Sequence, residues 1–252
     1  MGTVVITGGS RGMGRETAIK FAEEGHDVVI TYQSNVAAAQ EVLAKVEALG
    51  QAAHAVRMDV GVQEDIDRAF DEIEQKVERI DYLYNNAGIM NELQEFQDQS
   101  WGSWERIFAV NVIGQWYCTK RAVQHMCKHG AGGSVVYCYS ISGVMSFPLA
   151  SDYAASKHAV VGMSKGQALE CARHNIRINV ICPGFHKTDM YEEQFGDAAE
   201  TLTETMIPAS RIAEPREVAN LVYWLMVEGT YCCGTTIVAD GGLTTGPKYH
   251  GA

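Results

Sequence analysis

Residues 7–14 read TGGSRGMG, directly after the apolar run VVI at 4–6. A strand-like run that breaks into closely spaced glycines and then into a helical pattern is the sequence of a phosphate-cradling turn. Gly8 permits a tight turn. Gly12 and Gly14 let backbone approach a phosphate and let the next helix pack on a sheet. The helix start, rich in unpaired N–H groups, then favours a pyrophosphate. Ser10 is placed to contact phosphate or the loop backbone, and Met13 carries the loop into the helix. The same letters contain Gly8-Gly9-Ser10-Arg11-Gly12, which fits the G-x-S-x-G nucleophile elbow of hydrolases. That elbow needs several strands before it, and only one precedes residue 8, so the hydrolase reading is set aside.

The chain around this loop repeats one theme. TVVIT at 3–7, DVVITY at 27–32, HAVRMD at 54–59, DYLYNN at 81–86, SVVYCY at 134–139, RINVIC at 177–182 and TTIVA at 235–239 read as strands. Helical patterns follow the first five, at about 12–24, 36–49, 63–78, 101–127 and 152–173, with a last helix at about 214–227. Nearly continuous Val and Ile runs suit strands covered on both faces. Seven such strands alternating with helices predict an α/β chain: a single Rossmann-type domain over residues 1–252, with a doubly wound, seven-stranded parallel sheet and helices on both faces. The stretch at about 185–213 lacks a clear strand and reads as a lid over a ligand.

Composition narrows the function. The 252 residues are 46% apolar and 20% charged, enough for a large core in one domain. The net charge of −11 disfavours nucleic acid, whose phosphates need clustered Lys and Arg. No apolar run approaches membrane-spanning length, and the opening strand leaves no room for a signal peptide, so a cytoplasmic location is expected. Seven scattered cysteines, with no C-x-x-C pair, read as reduced and mostly buried.

Cofactor type turns on the end of the second strand. A free ribose there usually meets a carboxylate. Here the run is Thr31-Tyr32-Gln33-Ser34-Asn35, which has none. Arg11 in the glycine loop is placed to reach a 2′-phosphate. Both features favour NADP(H) over NAD(H), with Tyr32, Gln33 and Ser34 beside the phosphate and Asp59 toward the adenine.

Residues 152–159 read DYAASKHA. On a helix, Tyr153 and Lys157 share a face. A free phenol titrates near ~10 and is a poor catalyst at neutral pH, and a nearby cation favours its ionised form. Small residues between the two leave room for a cofactor against the helix. The pair is a candidate general acid/base.

With Ser140, thirteen residues before Tyr153, and Asn111 in the long helical stretch, the sequence resembles the short-chain dehydrogenase/reductase family. The resemblance covers nearly the whole chain. It rests on TGGSRGMG, Asp59-Val60, NNAG at 85–88, Asn111, Ser140, YAASK at 153–157, PGFHKT at 183–188 and DGG at 240–242. It implies that Tyr153 exchanges a proton with the substrate oxygen and that Lys157 holds the nicotinamide ribose. Ser140 would hydrogen-bond the reacting oxygen, and Asn111 would hold a water in a relay to Lys157. Asp59 and Val60 would meet adenine; Asn86, Ala87 and Gly88 would line the cofactor groove; Pro183, Gly184 and Thr188 would approach the nicotinamide. Ser142, Met145, Phe147, Phe185, Met190 and Tyr191 would border a mostly apolar substrate pocket. Met13 stands where the family commonly has isoleucine. Gln33 stands where many NADP-using relatives carry arginine. The resemblance also implies a homotetramer.

The expected activity is interconversion of a secondary alcohol and a ketone, on a small free ketone, polyol or sugar, with no prosthetic metal. A silent NAD(P)-binding regulator and a 3-oxoacyl thioester reductase are the alternatives. His125 and His129 stand four apart like metal ligands but have no third partner, and read as a solvated helix end. Trp101 and Trp104 read as capping the core or touching substrate, with the core favoured.

Overall fold

The computed structural model describes residues 2–188, 191, 196, 203, 205–246 and 248. Seven strands form one parallel sheet: β1 (Thr3–Ile6), β2 (Asp27–Tyr32), β3 (Ala53–Arg57), β4 (Tyr82–Asn85), β5 (Gly133–Cys138), β6 (Ile176–Pro183) and β7 (Thr236–Ala239). Their order is β3-β2-β1-β4-β5-β6-β7. The chain winds outward from β1 to β3, returns to β4 beside β1, and winds outward again. That reversal opens a crevice above the carboxyl ends of β1 and β4.

Strand residues alternate between two apolar cores. Val5, Val29, Leu83, Val135 and Ile178 point to one face, where α3 (Gln63–Lys76), α5 (Gln115–His129) and α6 (Ser151–Cys171) cover them. Val4, Ile6, Val28, Ile30, Tyr84 and Val136 point to the other, under α1 (Gly12–Glu23), α2 (Val36–Ala48) and the last helix, Pro215–Tyr223, here α7. Burial on both faces explains why these strands read as continuous apolar runs.

The expected helix at 101–127 is really two. Here α4 (Trp101–Phe108) passes into a π-helical turn, Ala109–Gly114, before α5 begins. Gly114 packs directly on the Val60 backbone, and a Cβ there would lie 2.8 Å from the Val60 carbonyl carbon. A second π turn, Trp224–Glu228, ends α7 early. The Arg177 guanidinium accounts for its loose carbonyls, donating to Leu225 O and Gly229 O at 2.9 Å each.

Candidate active site

The glycine loop lies at the crevice. Gly8 and Gly12 adopt left-handed backbone, at φ 63° and 53°. A Cβ on Gly14 would lie 2.6 Å from the Gly8 carbonyl oxygen and 2.7 Å from Asn86 Nδ2, so only glycine fits. The Thr7 hydroxyl accepts the Asn86 and Ala87 N–H groups at 3.0 Å each, and Asn86 Nδ2 donates to the Thr7 and Gly8 carbonyls. These bonds lash the segment after β4 onto the loop after β1. A cleft of about 420 Å³ results. Gly8, Ser10, Arg11, Gly12, Met13, Tyr32, Gln33, Ser34, Asp59, Val60, Asn86, Ala87, Gly88 and Thr188 all line it. Its volume, its glycine cradle and the start of α1 fit a dinucleotide. Pro183 ends β6, and Gly184 follows it. Gly184 packs on Asp240, where a Cβ would be 2.7 Å from Asp240 Cα.

Asp59 is heavily engaged. Its carboxylate accepts Gln33 Nε2 at 2.9 Å, Gly61 N at 2.8 Å and Arg106 Nη2 at 3.2 Å. Burial pushes its carboxyl up, but the Gly61, Gln33 and Arg106 donors outweigh that and hold it below the ordinary aspartate range.

Next along the crevice are the Tyr153 and Lys157 side chains. The Lys157 ammonium is 5.2 Å from the Tyr153 ring centroid. Lys157 is 4% exposed. A Cβ on Gly88 would lie 3.4 Å from both Lys157 Nζ and Asn111 Oδ1, which brings ammonium, amide and cofactor strap together. Asn111 is fully buried in its π turn. Its amide accepts Ile89 N at 2.9 Å and donates to Ile89 O at 2.9 Å and Ser156 Oγ at 3.2 Å. Ser140 caps a short turn, Ile141–Gly143, and its Oγ accepts Ser142 N at 3.1 Å. That turn lies against α6, since a Cβ on Gly143 would be 3.3 Å from the Lys157 carbonyl oxygen.

On the far side of Ser140, Met145, Phe147 and Phe185 join Ile141, Ile207 and Leu243 in a small apolar cluster. The Phe147 and Phe185 rings are 6.0 Å apart, and Phe185 and Tyr191 are 5.4 Å apart. Ser142 is 4% exposed and contributes its backbone N–H to Ser140. Met190 falls outside the described residues.

A family model described as Enoyl-(Acyl carrier protein) reductase matches residues 8–244. The chain belongs to the short-chain dehydrogenase/reductase family. Oxidoreductase YohF of Escherichia coli K12 is 35% identical over 248 residues, spanning 98% of this chain and 97% of that one. The 3beta-hydroxysteroid dehydrogenase 1 of Eggerthella lenta is 36% identical over 251 residues, covering 98% of this chain and 95% of the relative. The crystal structure of acetoin dehydrogenase YohF from Salmonella typhimurium superposes with a TM-score of 0.90, at 34% identity over 98% of each chain.

Several residues of this dehydrogenase/reductase were not singled out in the sequence. Arg106, on α4, lines the cleft and pairs with Asp59. Arg57 ends β3 opposite Tyr32, and its Nε donates to the Gln33 carbonyl at 3.2 Å. It sets a second guanidinium at the end of β2, which strand register could have suggested. Asp152, 5% exposed, accepts Tyr153 N at 2.7 Å and Asn91 Nδ2 at 2.6 Å, tying the start of α6 to the segment after β4.

Other expectations need correction. Trp101 is 80% exposed, because it begins α4 on the outer side, while Trp104 stacks on Phe108 with centroids 5.9 Å apart. His125 is buried, stacked on His129 at 4.4 Å, rather than solvated. Burial pushes its imidazole below the ordinary range, against the pull of Glu74. Among the described residues no group of three or more His, Cys, Asp or Glu is placed to hold a metal. All seven cysteines are free, but only Cys118, Cys138 and Cys182 are buried. No described helix is long and apolar enough to cross a membrane.

Proposed function

We propose that this oxidoreductase interconverts a secondary alcohol and a ketone with NADP(H), using Tyr153 as general acid/base. The observation that carries the reading is the buried Lys157 ammonium, held against the Tyr153 ring at the end of a dinucleotide-sized cleft. A bound nicotinamide supplies or accepts the hydride. Tyr153 gives its phenolic proton to the substrate oxygen in reduction and recovers it in oxidation. Lys157 stabilises the charge that develops on the phenol oxygen. The Ser140 hydroxyl donates to the reacting oxygen and holds it beside Tyr153. Asn111 spends its amide on Ile89 and Ser156, so a relay water is assigned to its main-chain carbonyl, in the π turn where the helical ladder is interrupted.

Preference for the 2′-phosphate is supported by Arg11 in the cleft, by Arg57 beside Gln33, and by Arg106, which offsets the Asp59 charge. The substrate is a small uncharged ketone or alcohol. The apolar cluster around Phe147 and Phe185 supports this. So do the names of the relatives, which act on steroid and acetoin alcohols. The segment after β4 carries Glu92, Glu95 and Asp98, all exposed, which disfavours an acidic carrier. The expected lid at 185–213 belongs to the same single domain, and residues 189, 190, 192–195, 197–202 and 204 of it fall outside the described residues. The ends of the lid are pinned by Ala213 N to Phe185 O at 2.9 Å and Lys187 N to Ala213 O at 3.0 Å. Exposed Trp116, Leu169, Trp224 and Tyr231 support a homotetramer, and a cytoplasmic location fits the reading.

The test is nicotinamide absorbance with NADPH and NADH against ketones, diketones, ketoses and 3-oxoacyl thioesters. Tyr153→Phe should lower kcat by about 10²–10⁴ while cofactor affinity stays within about twofold. Near-normal turnover in that variant would sink the mechanism.

A further inference from the structure

Tyr139 stands between the last residue of β5 and Ser140, and the reaction as proposed gives it no task. It is 4% exposed. Its hydroxyl is buried with no hydrogen-bond partner, which costs stability relative to phenylalanine. A position that keeps so poor a site for a hydroxyl is shaped by the ring. The ring lies under Lys157: its centroid is 5.2 Å from Nζ, the same distance as the Tyr153 centroid. A buried ammonium needs compensating partners, and no ion pair reaches Lys157 among the described residues.

We propose that Tyr139 is a positioning residue, whose ring face holds the Lys157 ammonium by a cation–π contact and thereby fixes it against the Tyr153 phenol. Such contacts strengthen when the cation is desolvated. Tyr137 packs edge-on against Tyr139, with centroids 6.0 Å apart and planes at 64°, and braces its ring. The titratable groups facing the ammonium are Tyr139 and Cys138 from the β5 end, Cys182 on β6 and Tyr153 on α6 itself. Burial pushes both thiols up, Cys182 to about 12, and holds the Tyr139 phenol well above its ordinary range. All three stay neutral, so the electron-rich ring face rather than a charge receives the cation. A four-carbon lysine stem samples many rotamers, and two ring faces, each 5.2 Å from its head, leave it few places to go.

The inference rests on the acid/base reading of Tyr153, and the experiment separates the two. The cofactor-free protein is titrated while tyrosinate absorbance is followed, and the Tyr153 contribution is taken as the difference from Tyr153→Phe in the same background. Tyr139→Leu should raise the Tyr153 midpoint by about one pH unit, while Tyr139→Phe, which keeps the ring, should restore it to within about 0.3 unit. A series of increasingly fluorinated phenylalanines at position 139, which weakens the ring face with little change of shape, should raise the midpoint stepwise. That series decides the matter if the leucine variant does not fold. An unmoved midpoint in the fluorinated series overturns the proposal. So does a phenylalanine variant that shifts as far as leucine, because the hydroxyl would then be the acting group. If Tyr153 in the unmodified protein titrates like a free tyrosine, the acid/base reading itself fails, and the role of Tyr139 with it.

Discussion

Replacing Asn111 by alanine separates two jobs that one residue is asked to do. Its amide makes three hydrogen bonds in the buried interior, two to the Ile89 backbone and one to Ser156. At about 1 kcal/mol net for each bond, the loss is about 3 kcal/mol. For a domain of this size, 1 kcal/mol moves Tm by about 2–4 °C, so Tm should fall by about 6–12 °C. The damage should also reach the cofactor. Ile89 follows Gly88, which lines the cleft and where a Cβ would lie 3.4 Å from both Asn111 Oδ1 and Lys157 Nζ. A loosened strap should therefore raise the cofactor KM as well as lower kcat. Scanning calorimetry with steady-state kinetics on one preparation provides both readings. A variant whose Tm and cofactor KM both stay at the parent's values, Tm within about 2 °C, would refute the strap, since alanine keeps the main-chain carbonyl and removes only the amide's bonds.

Three further outcomes are expected. Arg11→Ala should reduce the preference for NADPH over NADH in kcat/KM by about tenfold, and equal losses with both cofactors would remove Arg11 from phosphate recognition. Gly114→Ala forces a methyl into the Val60 carbonyl and should cost about 1–3 kcal/mol with weakened adenine-nucleotide binding, whereas an unchanged Tm would mean that the π turn yields easily. His186 is 7% exposed, and burial pushes its imidazole down to about 4, with Glu217 pulling weakly the other way. The unfolded chain takes up that proton first, so the stability is present above pH ~6.5 and lost as pH falls toward 4, by about 3 kcal/mol. Denaturant unfolding across that range should show the loss shrink in His186→Gln, and identical profiles would assign the acid sensitivity elsewhere.

Cofactor preference shows how the two levels interlock. The absence of a carboxylate at the end of β2 is plain in the letters 31–35. The sheet then sets the Asp59 carboxylate against Gln33, one strand away, and supplies Arg106 and Arg57 around it. A carboxylate is thus present beside the end of β2 after all, but it is bonded and offset. Only packing of β3 and α4 beside β2 creates that arrangement.

By itself the sequence determined the seven strands, their parallel class and the glycine loop. Each rests on local physics: runs of Val and Ile for strands covered twice, glycines where backbone must turn or come close, and an i, i+4 spacing that joins Tyr153 to Lys157 on one helical face. Helix ends were legible to within a few residues for the same reason. The two π turns were not, because Asn111 and Gly114 obtain their roles from Ile89 and Val60, and the Leu225 carbonyl its partner from Arg177, all far away in the chain. Trp101 was misjudged because apolar character is read locally, while exposure depends on what packs opposite. The ring of Tyr139 beneath Lys157 had no sequence pattern at all. It arises where the end of a strand meets the face of a helix, and such contacts are decided by tertiary packing alone.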